Sequence, residues 1–161
     1  MTWVITAVAV LVLLTAYVTW TAGRLDRLHA RVDAAWAALD AQLVRRASAA
    51  RALVPALPAG PAEQLDAAAH EALEAQEIER ERIENELSRA VRLAVPHLPP
   101  ASDLDELRTA ATRVALARSF HNAAVKDTRT LRFRRLPRLL SLAGHRAMPT
   151  FFEIDDTALA G

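Results

Sequence analysis

The chain has 161 residues, 52% of them hydrophobic but only 5% aromatic, with 35 alanines against 4 glycines. That balance favours helices, where alanine costs least and glycine most among residues other than proline, and it argues against a β-sandwich or barrel. The lack of cysteine excludes disulfides, thiolate chemistry and cysteine-ligated metal centres, and a formal net charge of +1 favours neither nucleic acid nor an acidic partner.

Thr2 to Gly23 carries no charged side chain, and nine of these residues are Leu, Ile or Val. At about 1.5 Å per residue the segment makes a helix of roughly 33 Å, enough to cross a hydrocarbon core. Trp3 lies at one end and Tyr17 and Trp20 near the other, where aromatic rings favour the headgroup region. A cleaved secretory signal is the alternative. It wants a positive n-region and small residues at the cut site. Only the α-amino group precedes this run, and Trp20 stands where a small residue is preferred. Residues 1–23 are therefore expected to be an uncleaved transmembrane anchor. Arg24, Arg27 and Arg31 follow it and no Lys or Arg precedes it. The positive-inside tendency then puts the N-terminus outside and the remainder in the cytoplasm, at the cell membrane.

From Leu25 onward Leu28, Val32, Trp36, Leu39 and Leu43 recur at steps of three and four, with Leu53 after an alanine-rich stretch. This is one helical stripe, and the membrane helix is expected to run into it across Gly23. The run of Pro55, Pro58, Gly60 and Pro61 ends it. A second helix is predicted from Pro61, with Glu63 and Asp66 in its first turn. Its stripe is Leu65, Ala69, Leu73, Gln76, Ile83, Leu87 and Val91, and Pro96 to Pro100 stop it. Ser102 and Asp105 fit a capping box for a third helix, whose face carries Leu104, Leu107, Ala111, Val114, His121, Val125 and Thr128. A short fourth helix is predicted over about Pro137 to Ala143, stopped by Gly144. The expected architecture is all-α: the transmembrane helix, then an antiparallel bundle of three long helices plus a short C-terminal one over residues 24–148. Residues 149–161 read as a tail bearing Phe151 and Phe152.

The near-zero net charge conceals a separation. Residues 62–88 hold nine acids against two arginines, whereas residues 108–146 hold nine arginines and Lys126 against Asp127 alone. Either the second and third helices are neighbours whose rims attract, or the basic helix contacts anionic lipid headgroups or an acidic protein partner. A basic helix without flanking stacking aromatics or a known motif does not point to nucleic acid.

Two stretches resemble a known family. Trp36, Leu39, Asp40, Gln42, Leu43, Arg45 and Arg46 resemble the A-W-x-x-[IL]-D-x-Q-L-x-R-R signature of LemA-family proteins. Ala117, Arg118, Phe120, His121, Asn122 and Val125 are similar to that family's A-R-x-[FY]-[YH]-N-x-A-V motif, and Phe151-Phe152-Glu153 to its terminal F-F-E. After Arg46 the chain departs from the family's usual D-L-I-P-N-L-V, and Thr128-Arg129 replaces its Y-N pair. The resemblance implies a bacterial, membrane-anchored helical bundle. It brings no established enzymatic activity with it.

The residues themselves show little chemistry. His70-Glu71 begins like H-E-x-x-H, but Glu74 stands where the second histidine belongs. The four glycines are too scattered for a phosphate-cradling loop. Glu77, Glu79, Glu81, Glu84 and Glu86, interleaved with Arg80 and Arg82, read as a solvated helix face. No catalytic residue, cofactor or metal ligand is expected. The conspicuous set is Trp36, Asp40, Gln42, Arg45 and Arg46 on the first helix with Arg118, His121 and Asn122 on the third. There Asp40 is expected to pair with Arg118, and Gln42 and Asn122 to bond buried backbone or each other. Such a polar lock fixes register and adds little net stability. The expected role is a non-enzymatic interaction scaffold or adaptor, with self-association offered by Ala7, Ala9 and Ala16. The alternatives are an enzyme or regulator of envelope metabolism using the polar set, and an outward-facing envelope assembly factor.

Overall fold

The structure, a computed structural model, describes residues 1–100, 104–133 and 147–155. The regular elements among them are all helices: α1 (Thr2–Arg51), α2 (Ala59–Glu74), α3 (Arg80–Ala94) and α4 (Asp105–Arg132). Short 3-10 turns lie at Val54–Ala56, Glu77–Glu79 and Val95–His97. The all-α expectation holds. The predicted short helix at Pro137 to Ala143 and the Ser102 half of the capping box lie outside the described residues.

α1 passes through Gly23 without a break, so the apolar segment and the first amphipathic stripe are one helix. It ends at Arg51, ahead of Pro55 and Pro58. α2 starts at Ala59, which puts Pro61 in the first turn, where backbone N–H groups have no helical partner to lose. The expected second helix is in fact two. Ala75 and Gln76 are extended, with ψ of 134° and 159°, and separate α2 from α3. The apolar stripe explains the break. Between Leu73 and Ile83 the only large apolar side chain is Ile78, which is 96% exposed. An unbroken helix would have no face to bury across those turns, whereas two helices pack against each other.

The chain divides into two compact units, Met1–Ala35 with Asn122–Phe151, and Trp36–His121 with Phe152–Gly161. In the first, Val32, Ala124 and Val125 form a small apolar core with Ala35 against it. The Thr128 hydroxyl is 3.4 Å from the Leu28 carbonyl, and Arg31 lies 3.5 Å from Asp127. In the second, α1 gives Ala47 and Ala50, α2 gives Leu65, Ala69 and Ala72, α3 gives Ile83, Leu87 and Val91, and α4 gives Leu107 and Ala110 to one core. So much alanine lets helix axes approach closely, since their spacing follows side-chain size. A second cluster joins Leu39, Leu43 and Val114 to Phe152 and Ile154. The segment read as a tail thus supplies core residues.

Leu87 has no exposed surface, and Leu93 on the same helix is 57% exposed. Leu87→Ala should cost about 2–5 kcal/mol through lost burial and a cavity, and Leu93→Ala within about 0.5 kcal/mol, as read by urea denaturation.

Candidate functional site

α3 carries a charged pair on its apolar face. Arg80, Ile83, Glu84, Leu87, Ser88 and Val91 are all buried and repeat at helical spacing. Arg80 and Glu84 therefore point with the core residues, away from the solvated side of the helix. Their partners come from α1. Arg46 Nη2 donates to Glu84 Oε2 at 2.6 Å and to the Glu84 backbone carbonyl at 3.1 Å. Arg80 Nη2 donates to Asp40 Oδ1, and Arg80 Nη1 to the carbonyls of Ala72 at 2.6 Å and Ala75 at 3.2 Å. Those carbonyls belong to the last turn of α2 and the residue after it, where helical acceptors lack N–H partners. Arg80 Nε is 3.8 Å from Glu84 Oε1, which closes a neutral four-residue cluster. It joins α1, the end of α2 and α3.

The cluster is closed to solvent except at Asp40, whose side chain is 44% exposed while that of Glu84 shows none. Burial pushes the Glu84 carboxyl above its ordinary value. The Arg46 and Arg80 guanidiniums pull it part of the way back, and Asp40 pushes it up further. Gln42 Oε1, Arg46 Nε, Arg80 Nε and Glu84 Oε1 are buried without a hydrogen-bond partner among the described residues.

The reading of this stretch as a solvated face needs correction at two positions. Glu77, Glu79 and Glu81 are exposed, but Arg80 and Glu84 are not. The detectable signal was their i, i+4 spacing in phase with Ile83 and Leu87. The expected Asp40–Arg118 pair is also not made. Asp40 takes Arg80, whereas Arg118 Nη1 donates to the Ile154 carbonyl at 3.1 Å and lies 3.9 Å from Glu153. Gln42 Oε1 makes neither bond expected of it. Arg45 is exposed, and Asn122 is half-buried in the other unit.

The remaining residues of the set meet around an aromatic contact. Trp36 packs edge-on against His121 and against Phe152, each with ring centroids 5.5 Å apart. All three signature segments therefore send side chains to one core cluster. Such edge-to-face pairs contribute about 0.5–1.5 kcal/mol beyond their burial. Among the described residues no three His, Asp or Glu side chains gather as a metal-ligand set. His70 and Glu74 lie 3.7 Å apart on an exposed face.

No protein-family model, curated protein or solved structure matches this chain.

Removing one partner of the cluster strands a buried charge. Arg80→Ala should cost about 3–5 kcal/mol, and Asp40→Ala less, since Arg80 keeps its two carbonyls, as measured by chemical denaturation. The pH dependence has a definite sign. Glu84 titrates higher in the folded chain than in the unfolded one, so its contribution is full below the unfolded value and is lost as pH rises through the folded value. The stability of wild type relative to Glu84→Gln should therefore fall as pH rises from about 4.3, the ordinary glutamate value. A difference that grows in favour of wild type over that range contradicts the assignment.

Proposed function

We propose that this chain is a single-pass membrane protein of the LemA type, whose helical bundle serves as a non-enzymatic interaction scaffold on the cytoplasmic side. One observation carries this reading. The most apolar window of α1 has no residue buried inside the protein, although α1 is long and apolar enough there to cross a membrane. Ile5, Leu11 and Leu13 are 63–70% exposed, whereas Leu39 and Leu43, further along the same helix, have no exposed surface. A helix that buries one apolar stretch and leaves a longer one bare needs another apolar phase for it, and lipid is that phase.

The scaffold reading draws support from how the polar residues are used. An enzyme built on the Asp40, Arg118 and His121 set needs those groups to converge in an open pocket. Asp40 and Arg118 instead take separate partners, and the charges that converge with Asp40 are enclosed. Basic side chains on α4, Arg108, Arg113 and Lys126 among them, are exposed and suit anionic headgroups or an acidic protein partner. Arg24, Arg27 and Arg31 favour the cytoplasmic orientation.

The test is fractionation combined with topology reporters. The full chain should stay in the membrane pellet after an alkaline carbonate wash. A fluorescent protein fused after Gly161 should be active and a phosphatase fused there inactive. Leu11→Arg places a charge near the segment centre, at about 2.5–3.5 kcal/mol on insertion scales, and should shift protein to the soluble fraction. Wild-type protein released by carbonate refutes the anchor, and the opposite reporter pattern refutes the orientation.

A further inference from the structure

We infer that the first unit carries a second membrane contact, a collar of Phe133, Met148 and Phe151 that seats on an anionic lipid surface beside the point where the apolar segment of α1 ends. The inference rests on the anchor reading and adds to it where the unit touches the bilayer and through which side chains.

The register within this unit places the collar. Ala124 and Val125 share a core with Val32, Asp127 pairs with Arg31, and Thr128 reaches the Leu28 carbonyl. Arg132 Nη1 lies 3.5 Å from His29 Nε2. From Val125 to Thr128 the partners on α1 move back from Val32 through Arg31 to Leu28, so the two helices run antiparallel here, and the long Arg132 side chain reaches back to His29. At about 1.5 Å per residue on both helices, the five residues from Thr128 to Phe133 bring Phe133 level with roughly Gly23 to Leu25. The returning chain crosses the same end. Arg132 Nη1 donates to the Ala147 carbonyl at 2.8 Å, and the Arg129 guanidinium sits over the Phe151 ring, 5.1 Å from its centroid.

Three large apolar side chains therefore lie along this end of the unit, Phe133 level with Gly23 to Leu25 and Met148 and Phe151 beside Arg132 and Arg129, next to where α1 changes from bare and apolar to amphipathic. They are not covered: Phe133 is 59% exposed, Phe151 42% and Met148 37%. On α1 the adjoining turn carries Trp20, 58% exposed, with the Arg24 guanidinium 5.7 Å from its ring centroid. Aromatic rings beside cations are what the headgroup region of a bilayer accommodates, with the ring at the acyl boundary and the cation among phosphates. Charge selects the occupant. Beyond Gly23 the described part of this unit has six basic residues, Arg24, Arg27, Arg31, Lys126, Arg129 and Arg132, against three acids, Asp26, Asp33 and Asp127. A second copy would bring like charges together, whereas an anionic bilayer continues the apolar phase that already surrounds the adjoining segment and neutralises the excess.

The cysteine-free sequence makes the test clean, because one introduced cysteine takes one nitroxide label. The full chain carrying Phe133→Cys, Met148→Cys, Leu11→Cys or Ile78→Cys is labelled and reconstituted in phosphatidylcholine–phosphatidylglycerol vesicles. Accessibility to oxygen is then compared with accessibility to a water-soluble nickel chelate. The expected ratio of oxygen to nickel accessibility is highest at Leu11, lowest at Ile78 and intermediate at Phe133 and Met148. The two intermediate values should fall toward that of Ile78 in vesicles of phosphatidylcholine alone. If Leu11 reads as lipid while Phe133 and Met148 read as fully aqueous in both vesicles, the collar is overturned and the anchor stands. Labels at Phe133 and Met148 shielded from both reagents indicate protein covering them, which also overturns it. Leu11 reading as aqueous removes the anchor and the collar together.

Discussion

Two guanidiniums and the Glu84 carboxylate enclosed between α1 and α3, with the half-exposed Asp40 at their edge, constrain how the helices of the second unit meet. Taking each ion out of water costs several kcal/mol even after relaxation, and mutual attraction repays this only at good geometry. Arg46 meets the Glu84 side chain and backbone together, and Arg80 meets Asp40 and two carbonyls at the end of α2. A shift of α3 by one residue along α1 would rotate these groups by about 100° and leave buried charges unpaired. Leucines and alanines tolerate such a slip far better. The cluster therefore acts on register and on the turn between α2 and α3 more than on net stability.

That turn shows how the interaction shapes the backbone. Neither proline nor glycine stands at Ala75 or Gln76, yet both are extended. The carbonyls freed where α2 stops accept hydrogen bonds from Arg80, a side chain that arrives from the helix that follows. Helix termination here is tertiary: the chain can stop because a buried donor waits for its last acceptors. The same side chain then reaches α1 through Asp40.

The aromatic contact makes a second use of distant segments. Trp36, His121 and Phe152 come from α1, α4 and the C-terminal segment, and Arg118 ties that segment down through the Ile154 carbonyl. The C-terminal residues are further held by the backbone N–H groups of Glu153 and Asp155, which donate to Glu81 at 2.8 Å and to Asn85 at 2.7 Å. Of the residues that look like a polar recognition surface in one dimension, Trp36 and His121 form an aromatic joint, Arg118 straps the C-terminal segment, and Asp40 and Arg46 supply half of a charge cluster, whereas Arg45 is exposed.

Periodicity alone determined the helical class, the passage of α1 through Gly23 and most of the buried faces. Leu25, Val32, Leu39 and Leu43 on α1 and Leu107, Val114, His121, Val125 and Thr128 on α4 are buried as their spacing requires. These features are local, set by which side chains fall on one face of a helix and by where proline interrupts it. The bare apolar start of α1 was legible for the same reason. Pairing was not. Asp40 had several arginines within reach of any plausible packing, and spacing along one helix says nothing about which charge on another will face it. The burial of Arg80 and Glu84 and the docking of Phe152 and Ile154 depend on contacts between residues tens of positions apart. Such contacts exist only once the helices have packed, so only the tertiary structure could decide them.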